Sequence, residues 1–160
     1  MVKLSPMTEE QFRVYQEDDI QRLAEEYVKA GVWTGAEALD NSRKEHQRLL
    51  PDGIKTRNHY FLTVTDENSG RKVGLIWMEV NQDVSIPYAF IYDFFINEDQ
   101  RRKGYGAGTL QAAEKWLKSM GIRHVSLHVY AHNKIAQELY DKSGFEVTGI
   151  FMRKKLVGHS

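Results

Sequence analysis

Ala89-Phe90-Ile91-Tyr92-Asp93-Phe94-Phe95-Ile96 leads, through Asn97-Glu98-Asp99-Gln100, into Arg101-Arg102-Lys103-Gly104-Tyr105-Gly106-Ala107-Gly108. The first stretch is apolar apart from Asp93 and reads as a buried strand. The second is basic and glycine-rich, and it opens a helical pattern that runs to Met120. A buried strand thus ends in a turn that becomes a helix N-terminus. The first-turn N–H groups of a helix lack internal partners, and the aligned peptide dipoles make that end positive. Glycines let a backbone come close to an anion. The passage predicts a phosphate-binding loop on an α/β scaffold.

Spacing narrows the ligand. No Gly-Lys-Ser/Thr closes the loop, so it is not a Walker loop, and Thr109 stands where a dinucleotide fingerprint needs its third glycine. Downstream, Asn133, Ala136, Leu139, Tyr140, Gly144 and Phe145 form the pattern N-x-x-A-x-x-L-Y-x-x-x-G-F after a predicted strand from His124 to Tyr130. Arg101-x-x-Gly104-x-Gly106 resembles the R/Q-x-x-G-x-G/A loop of the GNAT superfamily of N-acetyltransferases, and the downstream pattern is similar to a second signature of that superfamily. The resemblance covers about Ala89 to Leu156. In its N-terminal half the chain matches only in the order of its elements.

The resemblance implies a bacterial-type, acetyl-CoA-dependent acyltransferase of the α/β (α+β) class. It implies one domain over residues 1–160, with four helices around a mixed sheet of six or seven strands splayed between the fourth and fifth. The patterning agrees. Val2-Lys3-Leu4 reads as a strand, and Thr8 with Gln11 as a capping box. Phe12, Tyr15, Ile20, Leu23 and Tyr27 share a helical face that Gly31 ends. Thr34 with Glu37 predicts the cap of a second helix reaching Leu50. Tyr60–Asp66 and Lys72–Val80 predict a hairpin, and Tyr88–Ile96 the strand before the loop. Leu110, Ala113, Leu117 and Met120 stripe the next helix, with Gly121 as its stop. Phe145 to Leu156 predicts one or two closing strands, with only Thr148–Phe151 for a turn. Members of that superfamily usually shape the acceptor pocket with a longer loop there, so the resemblance implies an acceptor side left more open in this chain, or completed by a second copy in a homodimer.

Composition excludes several classes. The 160 residues carry 22 Lys plus Arg against 22 Asp plus Glu, which disfavours a nucleic-acid partner held by bulk charge. There is no cysteine, hence no disulfide, thiol nucleophile or thiolate metal site. No apolar run approaches a membrane span and no signal-peptide core begins the chain, so a cytoplasmic protein without a membrane partner is the expectation. His59, His128 and His132 lack paired ligand spacing, and no metal is expected.

Acetyl transfer to an amine needs the thioester held, its carbonyl polarised, the amine neutral and the thiolate stabilised. By resemblance, backbone N–H groups from Arg102 through Lys103, Gly104, Tyr105, Gly106 and Ala107 hold the pyrophosphate, with help from the side chains of Arg101, Arg102 and Lys103 unless these are merely solvated. Phe94, Phe95 and Ile96 offer backbone to the pantetheine arm. Asn133 bonds the same arm, caps a helix, or does both, and Ala136 belongs to the same cofactor-binding pattern. Tyr140, a phenol with pKa near ~10, suits protonation of a thiolate whose acid form has pKa near ~8.5; a core tyrosine is the competing reading. Asp93 is the candidate base or else a structural carboxylate, with Glu79 and His128 on neighbouring strands as alternatives. Tyr92-Asp93-Phe94-Phe95-Ile96 is similar to the Glu-Asp-Phe-Phe-Val of polyamine acetyltransferases, but Tyr92 replaces their Glu, which carries the base role. Strand alternation separates Tyr92 from Asp93 unless a bulge intervenes. The acceptor is a small-molecule or protein amine. The alternatives are a catalytically silent acyl-CoA sensor or subunit, and a nucleotide-binding module unrelated to CoA.

Overall fold

The computed structural model describes residues 1–158, so His159 and Ser160 lie outside it. The chain packs as two units, Met1–His128 and a second beginning at Val129. The first holds all five strands. β1 (Val2–Pro6), β2 (His59–Asp66), β3 (Lys72–Asn81), β4 (Tyr88–Ile96) and β5 (His124–Leu127) lie in that order, antiparallel except for the parallel β4–β5 pair. This five-stranded mixed sheet corrects the expectation of six or seven.

α1 (Glu9–Lys29) starts as expected: the Thr8 side chain accepts from the Gln11 N–H, and the Gln11 side chain returns to the Thr8 N–H. α2 (Ala38–Leu49) starts later than its expected cap. The Thr34 carbonyl already accepts from the Glu37 and Ala38 amides, and Glu37 occupies the cap position without a side-chain bond. Both helices cover one face of the sheet, where Phe12, Tyr15 and Leu50 bury with Phe61, Leu75 and Trp77. Strand alternation turns the neighbours of these strand residues to the other face. There α3 (Tyr105–Ser119) buries Leu110, Ala113 and Leu117, and Trp116 meets Tyr60 edge-on at 5.0 Å.

Two local devices shape β4. Gly74 of β3 pairs with Ile96, and a Cβ on Gly74 would stand 2.3 Å from the Phe95 carbonyl oxygen; only glycine permits this approach. The second is a β-bulge. Trp77 faces Asp93 and Met78 faces Ile91, so Tyr92 is the extra residue. Phe90, Tyr92 and Asp93 therefore all project from the face of Trp77, and Tyr92 stacks on the Trp77 ring at 4.8 Å.

In the second unit α4 (Lys134–Lys142) is capped by Asn133, whose side-chain oxygen accepts from the Ala136 N–H at 3.2 Å. The expected strand through Tyr130 stops at Leu127, and Phe145 to Leu156 forms no strand. Val147, Ile150, Phe151 and Met152 are exposed. β-propensity is written into these residues, but a strand exists only when a neighbour completes its ladder, and none does so here.

Candidate active site

The loop expected to hold phosphate is built as a left-handed step into a helix. Arg102 has φ +64° and Gly104 φ +82°. Gly104 is the N-cap of α3, and the first ladder bond runs from the Gly108 amide to the Gly104 carbonyl at 3.0 Å. Helical geometry thus leaves the amides of Tyr105, Gly106 and Ala107 without intrahelical acceptors. Apart from Gly104's own chain neighbours, nothing among the described residues lies within 4 Å of where its Cβ would be, which leaves room at the mouth of the loop. The three basic side chains divide. Arg101 turns inward, its Nε donating to the Ile96 carbonyl at 3.0 Å, and Lys103 donates to Gln100 at 3.3 Å. All three residues are nonetheless exposed.

β4 arrives at this loop with one edge unladdered. Its pairing with β5 covers Tyr88 to Ile91 only, whereas its pairing with β3 continues to Ile96. Past the bulge the two parallel strands part. Phe94, Phe95 and Ile96 lie along this segment, before the short 3-10 turn Glu98–Gln100 that leads into the loop.

Asp93 sits in the seam between β4 and α1. Its Oδ2 accepts from the Tyr15 hydroxyl at 2.7 Å and from Arg22 at 3.3 Å. Arg22 also meets Asp19 at 3.2 Å, and Asp19 meets the buried His46 Nε2 at 2.8 Å. This chain of polar groups ties β4, α1 and α2 together. Burial pushes the Asp93 carboxyl up, the Asp19 charge adds to the rise, and Arg22 opposes it. Arg22 also lies over the Phe95 ring at 5.3 Å. A groove of about 670 Å³ along α1 includes Tyr15, Arg22, Leu75 and Phe95 in its walls.

A second polar cluster lies further along the same face, away from the loop. The Trp77 indole N–H donates to His59 Nδ1 at 3.0 Å in a buried bond, and His59 Nε2 stands 3.6 Å from Glu79 Oε2. His59 is buried, whereas the Glu79 side chain is 28% exposed. Phe90 and Tyr92 meet edge-on at 4.9 Å in front of this cluster. Sequence reading named Glu79 only as an alternative and His59 only among metal candidates. Their link through Trp77 joins two strands, and the one available signal was the odd Glu within the apolar run of β3.

In the second unit Tyr140 packs edge-on against Phe145 at 5.5 Å, and its carbonyl accepts from the Phe145 amide. Asn133 caps α4, which is compatible with its other expected role, since its carboxamide nitrogen can serve a second partner. Ala136 donates the capping bond. His128 closes the first unit beyond the end of β5.

The Acetyltransferase (GNAT) family matches residues 18–145 of this chain. The chain is 40% identical over 155 residues to the uncharacterized N-acetyltransferase YycN of Bacillus subtilis (strain 168), spanning 97% of this chain and 99% of that one. It is 35% identical over 153 residues to YdgE of the same organism, also named an uncharacterized N-acetyltransferase, across 96% and 97% of the two chains. The crystal structure of YycN matches with a TM-score of 0.90 over 99% of this chain and 100% of that one, at 39% identity. AAC(6')-Iy, solved with the bisubstrate analog CoA-S-monomethyl-acetylneamine, shares the fold at a TM-score of 0.58 and 17% identity, over 97% and 99% of the chains. The chain belongs to the GNAT family. It is an acetyltransferase, with the four helices and mixed five-stranded sheet described above. No helix among the described residues is long and apolar enough to cross a membrane.

Proposed function

We propose that this protein moves an acetyl group from acetyl-CoA to a primary amine by direct attack of the amine on the thioester. The observation that carries this reading is the parting of β4 from β5 after Ile91, immediately ahead of the open, left-handed loop at Gly104. A pantetheine arm can add to the edge of Phe94–Ile96 as a strand would, while its pyrophosphate meets the amides of Tyr105, Gly106 and Ala107 and the charges of Arg102 and Lys103. Arg101, bound to the Ile96 carbonyl, holds the end of β4 against the loop rather than reaching for phosphate. Family resemblance gives Asn133 and Ala136 to the pantetheine arm and Tyr140 to the leaving thiolate. Of the two roles open to Asp93, the bracing one is favoured, because both donors on its Oδ2 belong to α1.

Acetylation consumes the amine's lone pair. The N–C bond forms, the C–S bond breaks, and CoA leaves as a thiolate that takes a proton. Release of free CoA from acetyl-CoA in the presence of an amine panel tests this. A protein stabilised thermally by CoA but not by ATP or NAD, and releasing CoA only when an amine is present, meets the expectation. Stabilisation by ATP or NAD alone removes the CoA assignment.

A further inference from the structure

We infer that the acceptor is a cationic alkyl- or arylalkylamine with no carboxylate beside its amino group, received against Phe90 and Tyr92 by Glu79, which takes its proton. This rests on the acetyl-transfer reading and supplies the acceptor class and the base for the same site.

The argument begins with a hydrogen bond whose direction is fixed. An indole N–H can only donate, so the nitrogen of His59 that faces Trp77 is an unprotonated acceptor. The neutral ring must therefore carry its proton on Nε2, the atom facing Glu79. Burial, opposed by the Glu79 charge, lowers the His59 pKa and keeps the ring neutral. His59 is thus a positioning residue: it presents a fixed N–H dipole to a carboxylate that stays partly open to solvent.

The bulge supplies the rest. It turns Phe90, Tyr92 and Asp93 to the side of Trp77 and Glu79, and cross-strand pairing sets Phe90 opposite Glu79. Tyr88, paired with Asn81, extends the same strip, and Tyr88 and Tyr92 are exposed. Half-open aromatic faces beside a carboxylate suit an ammonium ion, which both attract. Asp93, by contrast, has its Oδ2 engaged by Tyr15 and Arg22. Glu79 also stands on the right side of the bulge. A pantetheine arm entering from the loop along Ile96 and Phe94 brings its acyl end to where β4 and β5 rejoin at Ile91 and Leu127. The amine then meets the thioester from the Glu79 side. One ammonium proton moves to the carboxylate, the freed lone pair attacks the carbonyl carbon, and the second proton leaves toward the thiolate. The charged and titratable groups facing Glu79 are His59 from β2 and Tyr92 and Tyr88 from β4. Arg48 of α2, itself paired with Glu45, lies near enough to act on Tyr92.

The test uses the full chain with phenethylamine and 1,4-diaminobutane as cationic probes and glycine as a zwitterionic counter-probe. CoA release is followed across pH, and CoA binding is measured separately by calorimetry. The parent should prefer the cationic amines to glycine by roughly tenfold or more in kcat/KM, since Glu79 repels the carboxylate. Glu79→Gln should bind CoA as the parent does yet lose about 10²-fold in kcat/KM near neutral pH, with the deficit closing as pH nears the amine's own pKa of about 10. His59→Ala should move the acid limb of the profile to higher pH, and His59→Gln, which can accept from Trp77 and donate to Glu79, should restore it. A parent that neither binds CoA nor releases it overturns the acetyl-transfer reading and this inference with it. A parent that turns over while Glu79→Gln keeps the parental rate and profile, or that prefers glycine, overturns this inference alone.

Discussion

The two units of this chain divide stability from motif. In the first, Ile76 and Met78 are fully buried in β3, and helices cover both faces of the sheet. In the second, α4 buries none of its residues, and Ile135 and Phe151 are more than four-fifths exposed. Yet the second unit carries Asn133, Ala136 and Tyr140, half of the sequence evidence for the family. Motif residues need not sit where the folding energy is. The first unit is expected to set the global stability, and the second to add chemistry at little cost to it.

Core truncation probes that division with the largest effect. Ile76→Ala removes a fully buried side chain between β2 and β4 and should cost about 2–5 kcal/mol in urea unfolding. Ile135→Ala, on an exposed face of α4, should change stability by less than about 0.5 kcal/mol. Equal losses would break the comparison. The converse is functional: Tyr140→Phe should leave the melting temperature and CoA affinity at parental values while kcat falls by at least ~10²-fold. A variant as fast as the parent at saturating substrate takes Tyr140 out of the mechanism.

What could be read from the sequence follows the same line. The bounds of β4, the capping box of α1 and the glycine-rich turn into α3 are local properties, set by the apolar run from Tyr88 to Ile96, by Thr8 and Gln11, and by Gly104. All were legible. The strands expected over Phe145–Leu156 were not, because a strand is a property of a pair and alternation cannot report whether the partner arrives. The bulge at Tyr92 belongs to the register between β3 and β4, so the sequence could offer it only as a condition. The bond from Trp77 to His59, and the approach of His59 to Glu79, depend on that same cross-strand pairing. The turn into α3 was legible because helix ends have one geometry; the cluster of Trp77, His59 and Glu79 was not, because strand neighbours distant in sequence build it.

A loop substitution gives an intermediate effect. Gly104→Val places a β-branched residue at φ +82°, a left-handed conformation costing L-residues about 1–2 kcal/mol. The Cβ meets nothing beyond its own chain neighbours, so the loss should appear as weakened CoA binding with the core intact. Asn tolerates this backbone better than Val, and Gly104→Asn should keep more affinity. If both variants lose affinity equally, crowding of the phosphate rather than backbone strain limits the site.

The smallest effect expected is a change in slope. Asp93→Asn keeps an oxygen to accept from Tyr15 but removes a titrating group. In the folded chain its carboxyl lies above the ordinary 3.8, raised first by burial and then by Asp19, against the pull of Arg22. An acid held higher in the folded than in the unfolded chain binds its proton more tightly when folded. Its contribution to stability is therefore full below 3.8 and is lost as pH rises through the raised value. Asn has no such proton. The stability gap between parent and variant should be widest at the acid end of that window, shrink as pH rises, and stay flat above it. Urea unfolding at steps from about pH 4 to about pH 7 reads this directly. A gap that widens with pH would mean that Arg22 outweighs burial and that Asp93 is stabilised as an anion. The rate profile gives an independent reading. With Glu79 receiving the proton, Asp93→Asn should lower stability without reshaping the pH dependence of kcat/KM, and a reshaped profile would return the base to the seam between β4 and α1.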